Sequence, residues 1–111
     1  MEQPKFVETI LDILSSISDI STDTTKEYIG LYKGRIMFGK IMDQKIFLLN
    51  HVYIFTEVEN TLITRLLKPK LERDTADLDI FLLQSTKAWW LACGEIINTS
   101  NIRAILKKFN T

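Results

Sequence analysis

The side chains that most often carry catalysis are few in this chain of 111 residues. His51 is the only histidine and Cys93 the only cysteine, so a nucleophile and its base could meet only through a tertiary contact. His51 belongs to no recognisable motif, and Cys93 follows two tryptophans in an apolar run, which is typical of a buried thiol. We therefore expect a surface or hydrogen-bonded structural histidine and an inert cysteine.

Two charged clusters occupy the stretch between residues 65 and 79. Asp74, Asp77 and Asp79 could supply oxygen ligands, but they lack the glycine and the closing glutamate of a calcium-binding loop. The basic cluster consists of Arg65, Lys68, Lys70 and Arg73. It could contact phosphate, although acidic residues interrupt it. Because no Gly-rich phosphate loop, nucleophile elbow or zinc-ligand spacing occurs, we predict no enzyme activity, no cofactor and no metal.

Composition narrows the class of protein further. The formal net charge is zero, so no overall field attracts nucleic acid or an anionic membrane. A single cysteine permits no intrachain disulfide and favours a reducing compartment. No signal peptide and no apolar stretch of membrane-spanning length is evident. We expect one domain over residues 1–111, located in the cytoplasm, without direct nucleic-acid binding or membrane association.

The strongest structural signal is the stretch 28–50, which predicts three antiparallel strands joined by two very short turns. Gly34-Arg35 suits a two-residue hairpin loop of type II′, because glycine accepts a positive φ at low cost. Asp43-Gln44 is a weaker signal of the same kind. If both loops have two residues, the register is fixed, and it places Leu31 opposite Phe38 and Ile41 opposite Ile46.

That register assigns the side chains of the meander to two faces. The face without charge is predicted to be the core, covered by helices, and it carries Tyr28, Tyr32, Met37, Ile41, Ile46 and Leu48 with Gly30 and Gly39. The other face bears lysines but is too apolar for a bare surface, which indicates a partner or a second covering layer. The candidate partner contacts on it are Ile29, Leu31, Phe38, Lys40, Phe47 and Leu49. The alternative is a sheet that is simply buried on both sides.

The rest of the chain alternates between helical and strand patterns. Apolar spacing predicts amphipathic helices from Pro4 to Ile17 and from Glu57 to Leu67, the second with Thr56 as N-cap. Ser18 to Thr25 is predicted to be a turn-rich connection. The last elements are predicted to be strands over 79–84 and 88–93 and a helix from 101 to about 109. This order predicts an α+β fold with a five-stranded antiparallel sheet and helices on one face.

The meander resembles the N-terminal domain of the TfoX (Sxy) family of bacterial competence regulators. Gly30-Leu-Tyr-Lys-Gly-Arg-Ile-Met-Phe-Gly-Lys-Ile41 matches the family pattern Gly-Ile-Tyr-x-Asp-Gly-x-Met-Phe-Gly-Leu-Ile without a gap, and Ile46-Phe-Leu48 follows in place. Ala88-Trp-Trp and Glu95-Ile-Ile-Asn98 are similar to the late part of the domain. In the family, the segment that leads into the first strand reads Arg-Met-Phe-Gly-Gly-Tyr-Gly. This chain has Thr25-Lys-Glu-Tyr-Ile-Gly30 in its place.

The resemblance covers nearly the whole chain and implies a fold similar to that of secretion chaperones, together with a non-enzymatic role. Full-length members are coactivators that help the cyclic-AMP receptor protein at competence promoters. This chain is similar to the stand-alone N-terminal-domain proteins of the family. The resemblance thus implies a regulatory module that acts through protein contacts, with a transcription regulator or a second copy of the chain as partner. The alternative is a chaperone-like module that holds a client polypeptide along a sheet or groove.

Overall fold

The computed structural model describes residues 5–17 and 19–93. Its elements, in chain order, are α1 (Lys5–Leu14), β1 (Ile20–Thr24), β2 (Ile29–Lys33), β3 (Ile36–Met42), β4 (Lys45–Leu49), β5 (Phe55–Glu57), α2 (Asn60–Leu66), a short 3₁₀ helix (Lys70–Glu72) and α3 (Thr75–Ala92). The strands form one antiparallel sheet in the order β1-β2-β3-β4-β5. The predicted α+β class with a five-stranded antiparallel sheet is confirmed.

The helices lie on one side of the sheet. α3 packs on β3 and β4, and it also contacts α1 and α2. α1 is the amphipathic helix that the apolar spacing predicts, and its Ile10 and Leu14 are fully buried. We call the sheet surface under these helices the helix side. Its fully or almost fully buried side chains are Leu31, Phe38, Ile41, Ile46 and Leu48.

Both predicted hairpin turns are present, with different backbone geometry. Gly34 has a φ of 61° and is the only residue of its turn with a positive φ, as a type II′ loop requires. In the next turn Asp43 and Gln44 both have positive φ values, 53° and 59°, which is the type I′ pattern. The second turn therefore holds two non-glycine residues in the left-handed region.

A β-bulge in β3 alters the register that two-residue loops alone would give. Tyr32 lies opposite Met37 but Leu31 lies opposite Gly39, so Phe38 has no partner in β2. Because the extra residue lets two consecutive positions face the same side, Phe38 and Gly39 are both buried. The predicted pairing of Leu31 with Phe38 is wrong, whereas that of Ile41 with Ile46 is confirmed.

The bulge also redistributes side chains between the two sides of the sheet. Tyr28, Tyr32 and Met37, predicted to be core, lie away from the helices and are half-buried. Leu31 and Phe38, predicted to face outward, are fully buried on the helix side. We call the sheet surface away from the helices the open face, and its central side chains are Tyr28, Tyr32, Met37, Lys40, Phe47 and Phe55.

Two strands occur where the sequence predicts none. The predicted turn-rich connection at residues 18–25 contains β1, whose Ser21 to Thr24 are all exposed, so no apolar alternation marks this edge strand. β5 occupies Phe55–Glu57, immediately before α2. The N-cap position of α2 is Glu59 rather than Thr56, because Thr56 is in β5 and its hydroxyl accepts a hydrogen bond from Asn50 Nδ2 at 2.7 Å.

The predicted strands over 79–84 and 88–93 are wrong, because α3 runs through both. Asp74 caps this helix, its Oδ1 accepting from the backbone N–H of Ala76 at 2.9 Å. Trp89 and Trp90 therefore lie on neighbouring helical positions and contact each other edge to face, with ring centroids 5.9 Å apart. The helix predicted for residues 101 to about 109 lies outside the described residues.

Candidate functional site

The open face carries an aromatic and apolar surface that no helix of the described segments covers. Tyr28, Tyr32, Met37, Phe47 and Phe55 are half-buried, and none of them belongs to the buried core. A patch of this kind on a sheet surface marks an interaction site, because isolated soluble domains seldom leave contiguous large apolar side chains uncovered.

One row of paired residues crosses the open face from edge to edge. Each residue of this row is paired with the next one across neighbouring strands. The row consists of Asp23 on β1, Gly30 on β2, Lys40 on β3, Phe47 on β4 and Glu57 on β5. Paired residues on neighbouring strands point to the same side of a sheet. The row therefore places a single cation on the middle strand and one carboxylate at each edge.

The Lys40 ammonium lies among three aromatic rings. Its Nζ is 5.3 Å from the ring centroid of Phe55, 5.6 Å from that of Phe47 and 5.7 Å from that of Tyr28. Such distances allow a weak cation–π attraction to each ring. No carboxylate of residues 5–17 or 19–93 lies within 4.0 Å of this ammonium.

The neighbouring lysine on this face has a different environment. Lys45 Nζ is 4.0 Å from Glu57 Oε1, and both side chains are well exposed. The pair partly neutralises one edge of the row, although an exposed ion pair of this length contributes little to stability. Lys40 therefore stays the central cation of the open face.

Gly30, which pairs with Lys40, leaves room for an aromatic ring on the open face. A Cβ atom at this position would be 2.8 Å from Cε2 of Tyr32 and 3.5 Å from Sδ of Met37. Because there is no side chain, the Tyr32 ring rests against the strand backbone and Gly30 is buried. The Tyr32 ring therefore occupies the space of a side chain at Gly30, the residue opposite Lys40 on β2.

The loop between β4 and β5 carries a second set of exposed apolar side chains. Val52, Tyr53 and Ile54 are 54%, 62% and 61% exposed, and Tyr53 has a φ of 59°. Asn50 fixes the loop, because its Oδ1 accepts from the backbone N–H groups of Val52 and Ile54, both at 3.0 Å. Three consecutive large apolar side chains are thus held in solvent by an ordered turn.

Three of the six candidate contact residues lie where the sequence analysis expects them. Lys40 and Phe47 are on the open face, and the register places Leu49 beside Phe55 there, although Leu49 also packs against the margin of the core. The other three, Ile29, Leu31 and Phe38, are on the helix side.

The difference between the two groups has a local cause. Lys40, Phe47 and Leu49 follow the bulge or belong to β4, where the two-residue turn at Asp43 sets the register correctly. Sequence reasoning misses Tyr28, Tyr32, Met37 and Phe55 because nothing in the sequence marks the bulge or the short strand β5. No pattern signals that Val52 to Ile54 are exposed.

His51 and Cys93 are not brought together in a cleft. His51 is exposed and lines an open cleft of about 280 Å³ between the end of β4 and α3, which also borders Glu57, Glu59 and Lys87. Cys93 is half-buried at the end of α3 and does not line that cleft. The predicted absence of catalysis stays a prediction.

The acidic cluster has structural roles that the sequence does not reveal. Asp74 caps α3, and Asp77 is buried within the helix. Arg65 Nη1 is 3.4 Å from Asp77 Oδ1, which ties α2 to α3. The described segments contain no group of three or more His, Cys, Asp or Glu side chains that could hold a metal ion.

Two residues of the basic cluster also bind neighbouring groups of the chain. Arg65 is paired with Asp77, and Arg73 Nε donates to the backbone oxygen of Lys68 at 3.1 Å. Two of its four cations are therefore already hydrogen-bonded to other parts of the described fold. This weakens the case for a phosphate-binding site.

Within the described segments, no helix has the length and apolar character needed to cross a membrane. Comparison with known proteins gives no match to any protein-family model, curated protein or solved structure. The resemblance to the TfoX N-terminal domain therefore stays a prediction based on the residues of the meander.

Proposed function

We propose that this protein is a non-enzymatic binding module that recognises another polypeptide through its open face. The observation that carries the proposal is the aromatic surface around Lys40, which the helices of the described segments leave uncovered. Tyrosine, phenylalanine and methionine are enriched in protein interfaces because they bury much area with few rotatable bonds. The loop between β4 and β5 adds three exposed apolar side chains, Val52, Tyr53 and Ile54, directly before Phe55 in the chain.

The regulatory part of the proposal rests on the resemblance to TfoX-type domains. By that resemblance the partner is a cytoplasmic transcription regulator, and the chain acts as a coactivator linked to competence for DNA uptake. The features that such a role needs are a stable scaffold and one interaction surface, and the sheet with its open face provides both.

The test is a pair of matched substitutions. Phe47→Asp puts a charge into the middle of the open face, whereas Leu71→Asp changes an apolar side chain that is 100% exposed in the short 3₁₀ helix. We expect Phe47→Asp to abolish partner capture from the native cell while circular dichroism stays native, and Leu71→Asp to have no effect. If both variants capture the partner equally well, the open face is not the binding surface and the proposal is wrong.

A chaperone-like function is the second candidate, and the exposed edge of β1 favours it. This strand pairs with β2 alone in the described sheet, and its Ser21 to Thr24 are exposed, so a client strand could add to it. Thr22→Pro removes a backbone donor from that edge. A chaperone of this kind would lose client binding in the Thr22→Pro variant and keep it in Phe47→Asp, which is the reverse of the first proposal.

A further inference from the structure

We propose that the open face selects a polypeptide segment in which one carboxylate, flanked by apolar side chains, sits on the Lys40 ammonium. This inference rests on the proposed function and names the chemistry of its partner. The open face then has two roles. Its aromatic side chains bury the apolar flanks of the segment, and the Lys40 ammonium binds the carboxylate.

The environment of Lys40 is the first argument. Its ammonium lies over the rings of Tyr28, Phe47 and Phe55, and no carboxylate of the described residues lies within 4.0 Å of it. Cation–π contacts at a solvent-exposed surface are weak. When a bound partner excludes water from the site, the ammonium forms a short, charge-assisted hydrogen bond to a carboxylate of that partner. The open face is therefore complementary to one negative charge within an apolar strip.

The edges of the same row limit how much negative charge the partner can carry. Asp23 and Glu57 are each two strands away from Lys40, which is about 10 Å at the usual strand spacing. Glu57 is partly neutralised by Lys45, but Asp23 is exposed at the edge. A phosphate backbone or a run of acidic residues would extend onto these carboxylates, so a single carboxylate fits this row and a polyanion does not.

The same charge pattern disfavours a second copy of the chain. β3 is the middle strand, so a two-fold axis through the centre of the open face would bring the Lys40 ammonium groups of both copies together. Facing like charges oppose association, and the apolar surroundings of Lys40 strengthen the repulsion. The occupant is therefore a different polypeptide that supplies the missing negative charge.

Peptide libraries test the inference directly. Each library has a central position fixed as Glu, Gln or Lys, flanked on both sides by positions randomised among Val, Ile, Leu, Phe and Tyr, with Ser-Gly ends. We expect the protein to enrich peptides from the Glu library. In fluorescence anisotropy, changing the central Glu of an enriched peptide to Gln should weaken binding by about tenfold or more.

Variants of the protein then assign the preference to one side chain. Lys40→Gln should bind Glu and Gln peptides equally, Lys40→Arg should keep the preference for Glu, and Lys45→Gln, which removes the neighbouring cation, should also keep it. A preference for Glu that survives in Lys40→Gln overturns the inference, as does equal enrichment from the Glu and Gln libraries.

The outcomes separate this inference from the proposed function. If Gln peptides bind as well as Glu peptides, and Phe47→Asp abolishes the binding of both, the open face is a peptide site and only the charge selection is wrong. If no library yields a binder, both ideas fail. If a single-stranded oligodeoxythymidine binds more tightly than any peptide and Phe47→Asp abolishes that binding, the face is a nucleic-acid platform and the inference is overturned.

Discussion

Leu31 lies directly opposite Gly39 in the β2–β3 pair, and its side chain fills the space in which a Cβ atom of residue 39 would sit. A Cβ atom at Gly39 would be 3.2 Å from Cδ1 of Leu31, 2.9 Å from Cδ2 of Leu48 and 3.0 Å from the backbone oxygen of Phe47. The fully buried Leu31 therefore depends on a bare backbone in the middle strand.

Gly39→Ala should destabilise the fold by about 1–3 kcal/mol, the usual cost of overpacking a core. Gly30→Ala is the matched control on the other side of the sheet, where the closest atom is the far end of the Tyr32 side chain, which can move. Urea unfolding followed by circular dichroism measures both. If Gly30→Ala proves as costly as Gly39→Ala, the packing argument for Gly39 is wrong.

Gln44→Gly should stabilise the protein by about 1 kcal/mol, because it relieves a φ of 59° that side chains other than glycine, asparagine and aspartate seldom adopt. The change also creates the Asp-Gly pair that type I′ hairpins favour. Arg35→Gly is the control, since the φ of Arg35 is not positive and only chain entropy changes there. Thermal unfolding should show a higher midpoint for Gln44→Gly and a lower or unchanged one for Arg35→Gly.

Asn50→Ala should loosen the β4–β5 loop, because one side chain accepts hydrogen bonds from Val52 and Ile54 and donates one to Thr56. These bonds are exposed, so the expected loss of global stability is about 1–2 kcal/mol. Asn50→Asp keeps both accepting interactions and should lose less. Hydrogen exchange of the Val52 and Ile54 amides reports the effect, and unchanged protection in Asn50→Ala would contradict the role of this side chain.

Arg65→Gln should cost about 1–2 kcal/mol, because it leaves the carboxylate of the buried Asp77 without its cation. The expected cost is below that of a fully buried pair, since the Arg65 side chain is 59% exposed. Lys45→Gln removes the exposed pair with Glu57 and should cost less than about 1 kcal/mol. Similar losses in the two variants, measured by urea unfolding, would show that burial of Asp77 does not matter.

The sequence predicts the meander well because its turns are local signals. Gly34 and the Asp43-Gln44 pair fix two hairpins, and the β3–β4 register follows from the second. The bulge at Phe38 has no comparable signature, since it depends on how Leu31 and Leu48 pack around Gly39. A one-residue shift moves side chains to the other face, which is why only half of the candidate contacts lie on the open face.

α3 shows why helices buried on several sides are hard to predict. Short apolar runs on either side of Ser85-Thr86-Lys87 resemble two strands joined by a turn. The spacing of apolar residues alone does not distinguish such short runs from a buried helix. Ser85 and Thr86 are nevertheless buried, and Ser85 Oγ donates to the backbone oxygen of Phe81 at 3.0 Å. Ser85 is thus satisfied inside the helix, whereas the buried hydroxyl of Thr86 has no hydrogen-bond partner among the described residues.

The order of the strands in the sheet is also their order along the chain, and this has a consequence for folding. Each hairpin can close from its own turn, within microseconds, without waiting for a distant segment. α3 follows all five strands, so during synthesis the sheet leaves the ribosome before the helix that packs on β3 and β4. The nascent chain therefore passes through a stage in which Phe38 and Ile46 are in contact with water, and this is the stage at which it is most prone to aggregate.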